Sequence, residues 1–215
     1  MTAHISDSMK PTYWDEALRH LMRRDRILRR LIPSQSDVWL RTASSPFVTL
    51  ARTIISQQLS VKAADETWQR FVEACGAPEP TPGHVLELAD QTDGLTCLTK
   101  RKASYIMGLA EHFSSERTER PSWDGLDDEA VIADLCTIRG VGRWTAEMFL
   151  IFNLQRPDVL PLDDASLLKA ISLHYFSGEP VSRFEAREVA QAWAPWRTVA
   201  VWYLWHSLDP ASVRY

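Results

Sequence analysis

The amino-acid sequence predicts an all-α protein, and three observations support that prediction. Apolar residues recur at helical spacing in almost every segment of the 215-residue chain, a pattern typical of amphipathic helices. Pairs such as Ser45-Pro46 and Thr81-Pro82 place proline directly after a capping side chain, as at the start of a helix. No segment alternates apolar and polar residues clearly enough to predict a β-strand.

Most of the predicted helices begin at a cap or a turn residue. The first covers Tyr13 to Leu31, with six side chains expected inside: Trp14, Leu18, Leu21, Met22, Leu28 and Leu31. The next five run from Ser45-Pro46 to about Gln58, from Ser60 to about Ala74, from Thr81-Pro82 over a short span, from Thr99 to Phe113, and from Asp127 to about Arg139. The last four are Arg143 to Asn153, one that begins at Asp163-Asp164, one from the capping box Ser182-Arg-Phe-Glu185 to Trp193, and one opened by Pro195.

The composition is that of an ordinary globular protein, with 45% apolar and 24% charged residues. No segment approaches the roughly 20 apolar residues of a membrane span, and the first ten residues carry no signal-peptide core. Cys75, Cys97 and Cys136 are odd in number and scattered. They predict reduced thiols in an intracellular protein, in the cytoplasm or nucleoid if the source is bacterial. They also cannot supply the four thiolates of an iron–sulfur cluster.

The segment Leu135-Cys-Thr-Ile-Arg-Gly-Val-Gly-Arg-Trp-Thr-Ala146 predicts a helix, a tight hairpin and a second helix. Gly140 can adopt the positive φ that ends a helix, and Gly142 leaves room for another backbone to approach. The first N–H groups of the second helix would point out of the hairpin and suit a phosphate. A bare Gly-x-Gly is more often an ordinary turn, but the apolar spacing on both sides and the Trp-Thr-Ala continuation favour phosphate binding.

This segment resembles the helix-hairpin-helix of the DNA glycosylase superfamily, most closely its 3-methyladenine DNA glycosylase II branch. Further similar segments follow in the family's order between about residues 45 and 207: Ile54-Ile-Ser-Gln-Gln-Leu-Ser60, Leu98-Thr-Lys-Arg-Lys-Ala103, Leu160-Pro-Leu-Asp-Asp164 and Trp193-Ala-Pro-Trp-Arg197. The resemblance implies two helical lobes with the active site in the cleft between them. One lobe would comprise residues 44–160, with the hairpin motif at about 127–154, and the other residues 1–43 together with 161–215.

Two neighbouring carboxylates, Asp163 and Asp164, lie where the sequence predicts the start of a helix. Loss of a base builds positive charge on the sugar, and a fixed carboxylate can stabilise that charge or activate water. An Asp-Asp pair before a helix is usually only a cap. The family pattern places the catalytic role on Asp164 and leaves Asp163 as a cap or structural partner, and whether Asp163 assists stays open.

The resemblance also implies a pocket for the damaged base. Trp144 occupies the hairpin position where bifunctional members carry a lysine nucleophile, so neither a Schiff base nor strand cleavage is expected. Trp144 and Trp205, with Met148, would contact the base, because an indole attracts a cationic N-alkylated purine. The alternative is that these tryptophans, like most of the nine in the chain, belong to the core.

The resemblance further implies how the protein would hold DNA. The turn at residues 56–60 would push a side chain, Gln58 or Leu59, into the gap left by the extruded base. The alternative is a polar turn that only caps two helices. The expected DNA contacts at the hairpin are Gly140, Gly142, Arg143 and Thr145. The backbone carbonyls of Cys136, Ile138 and Val141 would bind a monovalent cation, Na⁺ or K⁺, and no organic cofactor is implied.

The formal net charge of −4 and the pI near 5.9 count against a strongly basic DNA-binding surface. Binding depends on the local field, however, and hairpin amides hold phosphate without adding formal charge. Two basic clusters are present, one at Arg19, Arg23, Arg24, Arg26, Arg29 and Arg30 and the other at Lys100, Arg101 and Lys102. Each is either a solvated helix face or a DNA contact, and the sequence leaves both interpretations open.

We therefore expect a monomeric, monofunctional DNA N-glycosylase of base excision repair. It would flip out and remove alkylated purines of the 3-methyladenine and 7-methylguanine class from duplex DNA and leave an abasic site. One alternative is a glycosylase of the same fold for other damaged bases, such as ethenoadenine or hypoxanthine. Another is a non-catalytic helix-hairpin-helix module that recognises damaged DNA.

Overall fold

The computed structural model describes residues 10–35, 38–41, 45–91, 94–114, 123 and 125–208. Within these ranges all regular secondary structure is helical, which confirms the all-α prediction. The α-helices are α1 Trp14–Arg24, α2 Leu28–Leu31, α3 Pro46–Ser56, α4 Val61–Cys75, α5 Pro82–Ala89, α6 Lys100–Ser114, α7 Asp128–Leu135, α8 Arg143–Phe152, α9 Ala165–Tyr175, α10 Arg183–Ala190 and α11 Arg197–Leu208. No helix in this described part of the chain is long and apolar enough to cross a lipid bilayer.

The predicted caps start the helices because each side chain satisfies an N–H group that has no partner within its helix. Ser45 accepts from the N–H of Val48 at the start of α3, and Asp127 accepts from Ala130 at the start of α7. The capping box before α10 forms in both directions. Ser182 Oγ accepts from the Glu185 N–H at 3.2 Å, and Glu185 Oε2 accepts from the Ser182 N–H at 2.8 Å.

The prediction of one continuous helix from Tyr13 to Leu31 was wrong, because this segment forms two helices, α1 and α2. Asp25 adopts an extended conformation (φ −130°, ψ 121°) between α1 and α2. Its Oδ1 accepts from the N–H groups of Ile27 and Leu28, and its Oδ2 accepts from Tyr175 Oη and Trp193 Nε1. The carboxylate is buried and satisfied by four donors, and this network breaks the helix although the apolar spacing continues through it.

Two other helix ends differ from the prediction for local reasons. Helix α7 ends at Leu135, four residues before the expected Arg139, because a series of tight turns begins at Cys136. Helix α11 begins at Arg197, two residues after the expected Pro195. There Asp158 acts as a remote cap: its Oδ1 accepts from the Arg197 N–H at 3.2 Å and from Arg197 Nε at 2.6 Å.

One compact unit comprises Ser44–Phe149. It contains α3 to α7 and the part of α8 that ends at Phe149. Helix α3 packs against both α4 and α6, and α5 packs against α6. The fully buried core includes Leu50, Ile54, Phe71, Ile106 and Leu135. This unit positions the hairpin and the turn between α3 and α4.

The second compact unit combines Met1–Ala43 with Leu150–Tyr215. Helix α11 packs against α1, α2 and α9, and its residues from Thr198 to Trp205 are all buried. Trp14 meets Trp202 edge to face, with 5.5 Å between ring centroids. Residues 150–160, which the resemblance places in the lobe that carries the hairpin, cluster with this unit.

Candidate active site

The hairpin between α7 and α8 is built from turns that fix its backbone. The Ile138 carbonyl accepts from the Val141 N–H at 3.0 Å, and the Gly142 carbonyl accepts from the Ala146 N–H at 3.0 Å. Gly140 has φ +93°, as the sequence predicts. A Cβ atom at Gly140 would lie 2.4 Å from Tyr105 Cγ, whereas one at Gly142 would meet nothing within 4 Å. The hairpin therefore rests on α6 at Gly140 and is open to approach at Gly142.

Gln57, to which the sequence assigned no role, is bonded to the hairpin. Its Nε2 donates to the Gly140 carbonyl and to Thr145 Oγ1, both at 3.0 Å. Thr145 is buried, so its hydroxyl serves this internal bond. A DNA contact by Thr145 would therefore fall to its backbone N–H in the first turn of α8.

The guanidinium of Arg143 is held by two carboxylates. It donates to both oxygens of Glu129, at 2.9 and 2.5 Å, and through Nε to Glu147 at 3.1 Å. Glu147 is buried, so Arg143 neutralises a charge that would otherwise be costly to bury. These bonds raise the pKa of Arg143 above its usual range. Arg143 thus joins α7 to α8, and phosphate contact at this position falls to the helix N-terminus.

We name residues 56–60, between α3 and α4, the wedge turn. Gln58 adopts left-handed φ (+59°) and is exposed, and its Oε1 accepts from Arg101 at 3.1 Å. Leu59 is 40% exposed. Just before the turn, the carbonyl of Ile55 accepts from Lys102 Nζ at 2.6 Å. Burial, with a smaller effect of Arg101, lowers the pKa of Lys102.

Asp164 occupies the N-cap of α9. Its Oδ1 accepts from the Leu167 N–H at 2.7 Å and from Trp205 Nε1 at 2.8 Å. Asp163 is exposed instead and pairs with Arg183 at 2.7 Å. The two carboxylates therefore differ in environment: Asp164 is half-buried and fixed by two N–H donors, and Asp163 forms a surface ion pair.

The three side chains predicted for the base pocket differ in exposure. Trp205 is only 7% exposed, and its ring stacks on Phe152 at 5.8 Å between centroids. Its bond to Asp164 is a contact that the sequence did not predict. Trp144 and Met148 lie one turn apart on one face of α8, Trp144 half-buried and Met148 buried.

Two further expectations concern charge and cations. The arginines of the first basic cluster are all exposed. In the second cluster Lys102 is buried and serves Ile55, so this lysine is a structural residue. Among the described residues, no group of three or more His, Cys, Asp or Glu side chains could hold a metal ion.

A family model described as "HhH-GPD superfamily base excision DNA repair protein" matches residues 51–195. The chain belongs to this superfamily. Because its members are DNA repair proteins, DNA is the partner of this chain. The match spans the wedge turn, the hairpin and Asp164.

Individual relatives agree with this assignment. The chain is 34% identical over 168 residues to DNA-3-methyladenine glycosylase 1 of Schizosaccharomyces pombe, covering 74% of this chain and 71% of that protein. It is 32% identical to the alkylbase DNA glycosidase-like protein mag2 of the same yeast, covering 75% and 77%. The solved structure of the S. pombe 3-methyladenine DNA glycosylase in complex with abasic DNA superposes with a TM-score of 0.77 at 30% identity. That superposition covers 92% of this chain and 98% of that one.

Sequence reasoning missed three contacts of the site: the bonds of Gln57 to the hairpin, the two carboxylates on Arg143, and the indole N–H of Trp205 on Asp164. Only the spacing of Arg143 and Glu147, at i and i+4 in a predicted helix, could have indicated one of them. The others join residues 14 to 88 positions apart, and no local pattern encodes them.

Proposed function

We propose that this superfamily member is a DNA glycosylase that excises alkylated purines of the 3-methyladenine and 7-methylguanine class and leaves an abasic site. The observation that supports it best is the carboxylate of Asp164, held by Leu167 and Trp205 through two N–H donors. The names of the relatives support the same substrate class. The protein would act as a monomer inside the cell, where damaged genomic DNA is found.

The proposed reaction breaks the C1′–N bond of the extruded nucleotide. The electron pair of that bond leaves with the base, and positive charge develops on the deoxyribose. Asp164 would stabilise this charge or take a proton from the attacking water, whose oxygen bonds to C1′. Both donors hold the same carboxylate oxygen, so the side chain needs little reorganisation as the charge develops.

An alkylated purine suits this site because it is already cationic. Its charge makes it a good leaving group, and an electron-rich indole attracts it. Trp144, with Met148 one turn further along α8, would supply that contact. Trp144 also stands where a lysine nucleophile would be needed to form a Schiff base. The enzyme would therefore be monofunctional, without lyase activity.

The hairpin would also bind a Na⁺ or K⁺ ion through the carbonyls of Cys136, Ile138 and Val141. Carbonyl oxygens are hard ligands of the kind that such cations prefer. The Ile138 carbonyl already accepts from Val141, yet a carbonyl has a second lone pair to offer. The ion would supply a positive charge beside the phosphate. Exchange of K⁺ for tetramethylammonium at constant ionic strength should weaken binding to abasic DNA if the ion is bound.

The test is release of bases from methylated duplex DNA, with each product identified by chromatography. We expect 3-methyladenine and 7-methylguanine, no strand cleavage, and no adduct after borohydride reduction on the damaged DNA. Release only of ethenoadenine or hypoxanthine from a lesion panel would assign a different substrate class. DNA binding with no base release would indicate a non-catalytic module, and a trapped adduct would contradict the monofunctional mechanism.

A further inference from the structure

The base of the wedge turn is anchored at two successive points. The Ile55 carbonyl, at the end of α3, accepts from the buried Lys102. Two residues later, Gln57 donates both amide hydrogens, one to Gly140 and one to Thr145, which lie 83 and 88 positions away in the chain. Helix α6 and the hairpin thus hold the same short segment. Each bond satisfies a carbonyl or hydroxyl that would be costly to leave unpaired where it is buried.

The hairpin end of this anchor is itself rigid. Gly140 is fixed by its positive φ and by its close contact with the ring of Tyr105. Thr145 is buried within the first turn of α8. Gln57 therefore donates to two groups, the Gly140 carbonyl and the Thr145 hydroxyl, that cannot move without disturbing the hairpin.

The tip of the turn is different, because it projects into solvent. Gln58 and Leu59 are exposed, and Gln58 keeps a left-handed backbone that is unfavourable for a non-glycine residue. Such a conformation persists when the surrounding structure determines it. Its Arg101 bond lies at the surface, where an incoming chain can replace it. The wedge turn is thus fixed at its base by hydrogen bonds to α6 and the hairpin, and its exposed tip is free to contact DNA.

We propose that Gln57 is a positioning residue that fastens the wedge turn to the helix-hairpin-helix. The hairpin, which binds the DNA backbone, and the wedge turn, which enters the duplex, then act as one rigid unit. The inference rests on the proposed excision of bases from duplex DNA. Extrusion of a paired base costs a few kcal/mol, and less when the base is mispaired. A wedge whose backbone is ordered before binding loses less conformational entropy on insertion than one that must become ordered at that moment.

This mechanism predicts a defect that depends on base pairing. A strand with a single adenine is methylated and annealed either to its complement or to a strand with cytosine opposite that adenine. Single-turnover release of 3-methyladenine is then measured on both duplexes. Gln57→Ala should slow release roughly tenfold on the matched duplex, because the hydrogen-bonded contact that orders the wedge turn before binding is lost. On the mispaired duplex the same variant should slow release less than about twofold.

Matched variants separate positioning from folding. Thr145→Val removes one acceptor of the Gln57 amide with little change of shape and should slow release from the matched duplex selectively. Thr145→Ser restores a hydroxyl acceptor at this position and should rescue most of the rate that Thr145→Val loses. Gln191→Ala, which removes a surface amide bonded to Glu188, should leave both rates unchanged. Gln57→Ala combined with Gln58→Ala should slow release less than the product of the single effects, because both act through one wedge.

Two results would overturn the proposal: equal slowing of both duplexes by Gln57→Ala and Thr145→Val, or no slowing of either. The first would make Gln57 a support of the hairpin fold alone, and the second would make its bonds irrelevant to excision. A wild-type protein that releases nothing from either duplex would contradict the proposed function itself. That failure is distinguishable, because it appears before any variant is made.

Discussion

The hairpin and the start of α9 use backbone and side chains in opposite ways. At the hairpin, side chains hold the backbone in place: Tyr105 packs on Gly140, and Gln57 donates to the Gly140 carbonyl. The Arg143 side chain is held in ion pairs with two glutamates. At the start of α9, backbone serves a side chain, because the Leu167 N–H orients the carboxylate of Asp164. A phosphate can be held by N–H groups alone, whereas stabilising a sugar cation requires a full negative charge. Substitutions should therefore damage the two regions in different ways.

The largest effect is expected at the carboxylate. Asp164→Asn keeps the size of the side chain but removes its charge, and it should slow base excision by about 10²–10⁴-fold. Binding to abasic-site DNA should persist, because docking does not need this charge. Single-turnover excision and fluorescence anisotropy measure the two properties. Asp163→Asn is the matched control, and it would be expected to lose far less rate; an inactive Asp163→Asn beside an active Asp164→Asn would reverse the assignment.

At the hairpin, the backbone should be the sensitive element. Gly140→Ala places a Cβ against Tyr105 at a positive φ and should lower the free energy of unfolding by about 2–4 kcal/mol. DNA binding should fall with it. Gly142→Ala meets no neighbouring atom, so it should leave stability unchanged while weakening DNA binding at the point of approach. Thermal melting and binding isotherms of the two variants test this, and equal stability losses would show that the hairpin is not supported at Gly140.

Trp205 tests whether the site at α9 depends on orientation of the carboxylate. Trp205→Phe keeps an aromatic ring but removes the N–H donor to Asp164. Loss of one hydrogen bond to a charged group should slow single-turnover excision roughly tenfold, equally for cationic 3-methyladenine and for any neutral lesion that is a substrate. Affinity for abasic DNA should stay the same. A loss confined to the cationic base would indicate instead that Trp205 stacks on it.

The smallest expected effect concerns the ion pair that joins α7 to α8. The hydrogen bond and charge of Arg143 lower the pKa of Glu129 below its usual value. The pair therefore contributes stability above the usual glutamate pKa, and this contribution disappears as the pH falls through the lower folded pKa. Glu129→Gln should lower the free energy of unfolding at pH 7 by less than about 1 kcal/mol, because the pair is exposed. Urea unfolding should show the difference vanish as the pH falls through the folded pKa of Glu129. A difference that persists in acid, where Glu129 is protonated, would not be electrostatic.

Local chemistry explains why the sequence predicted so much of the helical framework. Ser45-Pro46, Asp127 and the Ser182 capping box act through groups within four residues of themselves, so their effect is visible in the sequence. Asp25 breaks the first helix because Tyr175 and Trp193, 150 and 168 residues away, converge on its carboxylate. Apolar spacing alone carries no information about such a partner.

The same distinction applies to the candidate site. The residues of the hairpin, the position of Gly140 in left-handed φ, and Asp164 at a helix start follow from short-range patterns and from resemblance to the family. Only the tertiary structure joins Gln57 to the hairpin, pairs Arg143 with Glu129, and places the Trp205 indole on Asp164. Turn and cap preferences are set by the φ angles and hydrogen bonds of neighbouring residues. The acceptor to which a side chain donates depends on tertiary packing, because packing brings a distant acceptor within about 3 Å of the donor. That choice is made only when the whole chain has folded.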